Sequence, residues 1–312
     1  MARTLSGRVG AGVGRPRRRA PRFTLAIPAW LLFILFFAIP VLLIVWYSFG
    51  YKPDIFRTIA TDQPSFDRYA ESFSATFRDV FSGTLQISIT GTILCLLIGF
   101  PFAYWLAVKV PARWRGLLLG LTIVPFWTNF LVRTLGWLIL LQPNGPLSGV
   151  MQDLALISSP LDVLATREAV QLGVVYNYLP LMIFPLFVAL DRLDPALREA
   201  SKDLGANRWK TFRQVTLPLA MPGVIAGLLL VFIPLTGDYI TAAVLGGAKG
   251  NMVGALVASQ FHTAQNWALG SAMAVILILM ILGSVAVFAV LGLVLRALVR
   301  RNRRVDLSVD VA

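Results

Sequence analysis

Two sets of residues in this chain stand where their chemistry would matter. Glu199, Ala200 and Ser201, then Gly205 after three residues, then Val215-Thr216-Leu217-Pro218 after nine more, occupy a polar, basic loop between two long apolar segments. Arg133 and Asp238 are the two ionisable residues deepest in apolar sequence. Neither set is a catalytic constellation. A single histidine, His262, excludes a His-rich metal site, and a single cysteine, Cys95, excludes an intrachain disulfide. No G-x-x-x-x-G-K-[ST] phosphate loop occurs, so the chain does not hydrolyse ATP by that route. No metal cluster or nucleophile elbow is found either. The chemistry that remains is recognition and movement, with no catalytic residue, cofactor or metal expected.

The elements that hold these residues follow from composition. The 312 residues are 57% hydrophobic and 14% charged, with a mean hydropathy of +0.75. A soluble domain carries roughly a quarter charged residues. Here charge is confined to short islands, and the intervals between them suffice to cross ~30 Å of hydrocarbon at ~20 residues per helix. Helices satisfy their own backbone polar groups in lipid. The expected class is therefore all-α, a polytopic membrane protein with six transmembrane helices, at about 25–49, 84–108, 116–141, 169–190, 219–245 and 269–295. The first is expected to be retained. Its apolar run exceeds an ordinary signal core, and no small-x-small cleavage site follows.

Basic residues give the orientation. Seven Arg precede residue 24, three cations lie in loop 109–115, six in loop 191–218 and five between Arg296 and Arg304, whereas the alternate side holds six in all. The positive-inside rule then places both termini and the Glu199 loop in the cytoplasm. The net charge of +13 is thus read as topology and not as a nucleic-acid surface. The expected organisation is a basic cytoplasmic tail (1–24), a transmembrane domain (25–295) and a cytoplasmic C-terminal tail (296–312). Segments 50–83 and 142–168 face outside. Phe73, Phe77 and Phe81 recur every four residues, which suggests an amphipathic helix at the outer membrane surface or against the bundle.

Within loop 191–218, Asp194-Pro195 reads as a helix start, with Asp as cap and Pro in the first turn. Gly205 offers a break, and a second short helix is expected through Trp209 and Phe212. Exposed Leu204, Trp209 and Phe212 would be poorly placed in water and are candidate anchors for a groove on a partner. An amphipathic loop resting on the membrane surface is the alternative.

The spacing Glu-small-small, Gly, aliphatic-x-Leu-Pro resembles the cytoplasmic loop of type I ABC importer permeases. Ser201 stands where the family usually has Ala. Val175-Tyr176-Asn177-Tyr178-Leu179-Pro180, Pro125-Phe126-Trp127-Thr128-Asn129 and Gly237-Asp238-Tyr239 further resemble spermidine/putrescine permeases of the B-type. The likeness covers roughly residues 25–295. It implies the type I ABC importer permease fold in a bacterial inner membrane, and a loop (Glu199, Ala200, Ser201, Leu204, Gly205, Trp209, Phe212, Leu217, Pro218) that engages an ABC ATPase subunit, two copies per transporter. It also implies a second permease subunit forming a heterodimeric pore, an extracytoplasmic polyamine-binding protein docking on 50–83 and 142–168, and alternating access. Iron, sulfate or thiamine are cargoes of other relatives, and a stand-alone secondary transporter is the competing class, although no inverted repeat is evident.

Arg133, in the third helix, and Asp238, in the fifth, fall at matching depths in the outer part of the bilayer, close enough for a salt bridge. An unpaired charge there costs at least ~2.5 kcal/mol on insertion scales. A fixed Arg–Asp pair, a gate whose carboxylate meets a cationic solute, and snorkelling to the interface are all open. Asn129, Trp127, Tyr176, Asn177, Tyr178 and Tyr239 complete the candidate pathway, as aromatic or hydrogen-bonding partners for ammonium groups or as helix–helix glue.

Overall fold

The computed structural model describes residues 26–54, 56–247 and 250–301. The basic N-terminal tail and the last residues of the C-terminal tail lie outside them. The chain divides into two compact units, Met1–Leu43 and Ile44–Ala312. Helix α1 (Ile27–Tyr47) supplies the described part of the first unit and runs into the second. It is apolar all round and none of it is buried, the pattern of a helix whose solvent is lipid.

The second unit is helical, with one isolated bridge between Tyr51 and Ala60 and no strand among the described residues. Its helices are α2 (Asp67–Ser72), α3 (Ala75–Val108), α4 (Ala112–Trp127), α5 (Phe130–Leu140), α6 (Pro146–Asp153), α7 (Arg167–Asp191), α8 (Pro195–Asp203), α9 (Arg208–Thr236), α10 (Val253–His262) and α11 (Trp267–Arg301). Five helices are individually long and apolar enough to span a membrane (α1, α3, α7, α9 and α11), and the bent pair α4–α5 makes a sixth candidate.

The core lies where α3, α7 and α9 pack together, with Leu106, Met182, Leu186, Leu190 and Leu235 shut off from solvent. Close approach of α7 and α9 needs a residue without a side chain. A Cβ at Gly223 would collide with Ala189 and with the Pro185 carbonyl. Two π-helical turns, at Ile34–Ala38 and Phe212–Thr216, precede Pro40 and Pro218. A proline has no N–H and its ring crowds the carbonyl four residues back. In both cases that carbonyl falls in the π turn, and the wider turn keeps the helix continuous.

Four sequence expectations change. The second span begins not near 84 but at Ala75, because Phe77 is buried against Leu269 and Met273 and draws the Phe77–Phe81 stretch into α3. The third span is not one helix: α4 and α5 meet at 85°. Thr128 and Asn129 are extended, and the Asn129 carbonyl Oδ1 accepts from the Leu131 and Val132 amides, so a new helix starts at Phe130. The fifth span starts earlier, at Arg208, absorbing the expected second loop helix. It also ends earlier, at Thr236, and leaves Asp238 beyond the helix end.

Candidate functional site

The basic loop is built from two caps and one glycine. Asp194 Oδ1 accepts from the Ala196 amide at 2.9 Å and starts α8, with Pro195 in the first turn as the sequence suggests. At the other end the Ala206 amide donates to the Ser201 carbonyl (3.1 Å) and the Gly205 amide to the Lys202 carbonyl (2.8 Å). These paired reverse bonds require a left-handed residue just past the helix, and Gly205 supplies it at φ +80°. The three residues between Ser201 and Gly205 in the motif are thus the geometry of one glycine-capped helix end. Asn207 Oδ1 then accepts from the Lys210 amide and starts α9.

Around this frame Glu199, Ala200 and Gly205 are exposed, and Leu204 (88%), Trp209 (68%) and Leu197 (48%) are the exposed large apolar groups. Phe212 is not. It is half-buried, edge-on to Phe100 and Tyr104 of α3, with Trp209 stacked on it at 5.6 Å between centroids. Phe212 therefore anchors the loop to the bundle, which corrects its place among the exposed anchors. Leu217 and Pro218 are half-buried within α9, past the π turn, and belong to the stem. Arg115 reinforces this end of the molecule: its Nη1 pairs with Asp191 Oδ1 at 2.6 Å and its Nε donates to the Val110 carbonyl.

Asp238 and Arg133 do not form an ion pair among the described residues. Asp238 is 5% exposed and caps the turn that follows it: Oδ1 accepts from the Thr241 amide (3.0 Å) and Oδ2 from the Thr241 hydroxyl (2.6 Å). A carboxylate that terminates one helical segment and starts the next satisfies its oxygens locally, so the fixed pair is not needed. Arg133 instead lies over two rings, Phe126 at 5.3 Å and Phe130 at 5.5 Å, with Nε and Nη1 buried and without an acceptor.

The remaining pathway candidates separate into two groups. Tyr178 and Asn177 are buried beside this cluster. The Tyr178 hydroxyl donates to the Pro234 carbonyl at 3.4 Å and its ring meets Phe130, while Asn177 Nδ2 donates to the Thr134 hydroxyl at 3.2 Å and leaves Oδ1 without a donor. Trp127 and Tyr239 are exposed, Tyr176 is 40% exposed and edge-on to Trp137, and Asn129 is spent as a cap. Sequence reasoning missed Thr241 and Phe130. Thr241 stands three residues past Asp238, the spacing of a capping contact, and was legible as such.

The profile of the family described as "Binding-protein-dependent transport system inner membrane component" matches residues 99–304. The chain is 40% identical to the spermidine/putrescine transport system permease protein PotB of Haemophilus influenzae, over 79% of this chain and 85% of that protein. It is 35% identical to PotB of Escherichia coli, over 91% of this chain and 98% of that protein. Among solved structures, a bacterial alginate ABC transporter in complex with an alginate pentasaccharide-bound periplasmic protein shares the fold, with a TM-score of 0.66 at 15% identity over 90% of this chain and 94% of that one. The chain belongs to the binding-protein-dependent transport system inner membrane components, as a multi-pass permease subunit of an ABC importer.

Proposed function

We propose that this chain is the B-type permease of an ATP-driven polyamine importer, moving spermidine or putrescine inward by alternating access. One observation carries the coupling part. A short helix closed by a glycine cap projects between two membrane spans and presents Leu204 and Trp209 to solvent, while Phe212 ties its base to α3. Exposed apolar groups on a rigid protrusion suit insertion into a partner's groove. The partner is an ABC ATPase, in two copies. A second permease completes a heterodimeric pore, and a polyamine-binding protein docks on the opposite face. Both termini and the Glu199 loop lie in the cytoplasm, on the side where basic residues are concentrated.

The cargo reading rests on the PotB relatives, together with the buried Asp238 carboxylate and the Tyr178 side chain beside it. A carboxylate beside an aromatic ring favours an ammonium group over an anion. The test is purification of the chain with its co-purifying subunits, followed by uptake in proteoliposomes loaded with the binding protein. ATP-dependent accumulation of radiolabelled spermidine supports the reading. Uptake by the chain alone without ATP would make it a secondary transporter, and ATP-dependent uptake of sulfate, iron or thiamine but not polyamine would keep the coupling and remove the cargo.

A further inference from the structure

A cavity of about 670 Å³ lies between α8, the start of α9 and the end of α3. Its charged lining is Lys109, Arg198, Lys202 and Arg208 against the single carboxylate of Glu199. None of the four cations forms an ion pair or donates a side-chain hydrogen bond among the described residues. Arg198 Nη1 is closed off from solvent and still has no acceptor. A buried charged donor without a partner is costly, and like charges around one cavity repel. This arrangement is completed by an anion that the chain itself does not provide.

The rest of the wall says which anion. Tyr104 and Val108 come from the last turns of a membrane-spanning helix, so the cavity stands where the span meets water. Next to them Trp105 is 45% exposed on α3, an aromatic group facing the surroundings at the same level. Inorganic phosphate would answer the cations and leave this apolar wall unused. Leu204, the most exposed apolar group of the loop, is absent from the lining, whereas Trp209 and Glu199 stand in it, so the cavity and the surface offered to a protein partner adjoin and share Trp209.

We propose that this cavity holds the phosphate headgroup of an anionic membrane phospholipid, gripped by Lys109 at the C-terminal end of α3 and by Arg198 and Lys202 on α8, with the acyl chains running along the end of α3. Basic pockets at the ends of membrane helices bind such headgroups by charge and by the adjoining apolar surface. The lipid would brace α8 against the bundle. The inference needs the chain to span a bilayer but does not need the loop to bind an ATPase.

The test is native mass spectrometry of the full chain with its co-purifying subunits, released from nanodiscs of phosphatidylcholine with or without phosphatidylglycerol. The wild type should retain phosphatidylglycerol over phosphatidylcholine. Arg198→Gln/Lys202→Gln should lower that retention by roughly fivefold for each cation removed, and Lys109→Gln, outside the loop, by roughly fivefold. Lys52→Gln, on the other side of the membrane, should leave it unchanged. Equal retention in wild type and variants overturns the proposal. Displacement of the lipid by inorganic phosphate at equal concentration overturns it in favour of a free-anion site. Protection of Lys109 and Lys202 from amine acylation by a bound ATPase but not by phosphatidylglycerol overturns it in favour of a protein surface. If no ATPase co-purifies, the coupling reading fails while the lipid measurement still decides this one.

Discussion

The Ser201 hydroxyl lies 3.1 Å from the Thr211 hydroxyl and joins α8 to the first turn of α9 across the Gly205 bend. Ser201 is the third residue of the Glu199-Ala200-Ser201 run, and an alanine in its place could not make this bond. Thr211 is 5% exposed, so its hydroxyl has little recourse to water. Ser201→Ala should therefore loosen the loop by about 1 kcal/mol, the usual worth of one such bond. Hydrogen exchange over residues 196–206 should quicken by about fivefold. Unchanged exchange would mean that the glycine cap alone fixes the loop.

Gly205 is the more severe test of the same frame. At φ +80° an L side chain is strained by roughly 1–2 kcal/mol, and a proline cannot adopt the angle at all. No neighbour stands within 4 Å of a Cβ built there, so backbone angle alone sets the cost. Gly205→Asn, which tolerates left-handed geometry, should keep most ATPase co-purification. Gly205→Ala should lower it and Gly205→Pro should abolish it, with membrane insertion retained in all three. Full co-purification with Gly205→Pro would remove the loop from the interface.

The loop was legible because its signals are local. Asp194-Pro195 and Gly205 are cap residues whose geometry depends on a few neighbouring bonds. Hydropathy located the spans for a similar reason, since lipid demands continuous apolar length. Breaks inside apolar sequence were not legible. Phe126, Thr128 and Phe130 surround the α4–α5 bend with residues that hydropathy does not distinguish, and only the Asn129 side chain marks it. Hydropathy places Asp238 inside a helix because Leu235 to Leu245 is apolar enough to continue one, whereas the Thr241 contact shows it to be a cap. Phe212 is likewise not legible, since an aromatic residue in a polar loop looks exposed until Phe100 and Tyr104 of α3 are set beside it.

The separation of Arg133 from Asp238 yields a double-mutant prediction. Groups that share no contact have additive effects within about 0.5 kcal/mol, whereas a desolvated ion pair gives a coupling of about 1 kcal/mol or more. In thermal unfolding of the solubilised complex, Arg133→Met and Asp238→Asn should couple by less than about 1 kcal/mol, the small coupling that Tyr178, beside both, can carry. Arg133→Met alone should be neutral or stabilising, because methionine fills the space between Phe126 and Phe130 and removes two buried donors that lack acceptors. A strong positive coupling would restore the ion pair as a feature of the resting state.

Asp238 is the substitution that separates architecture from transport. Asp238→Asn keeps one oxygen for the Thr241 amide but replaces the acceptor of the Thr241 hydroxyl, so the cap is weakened by about 1 kcal/mol and not lost. Asp238→Ala removes both bonds and should cost about 1–2 kcal/mol. If Asp238 were only a cap, uptake would follow this ranking, with Asn the milder change. If its charge meets a polyamine on the pathway, both substitutions remove that charge and both should depress spermidine uptake by tenfold or more, with assembly nearly intact for Asn. The decisive comparison is therefore the ratio of spermidine uptake to assembled complex for the Asn variant. A ratio equal to that of the wild type would leave Asp238 a structural cap and move the cation-recognising group elsewhere in the transporter.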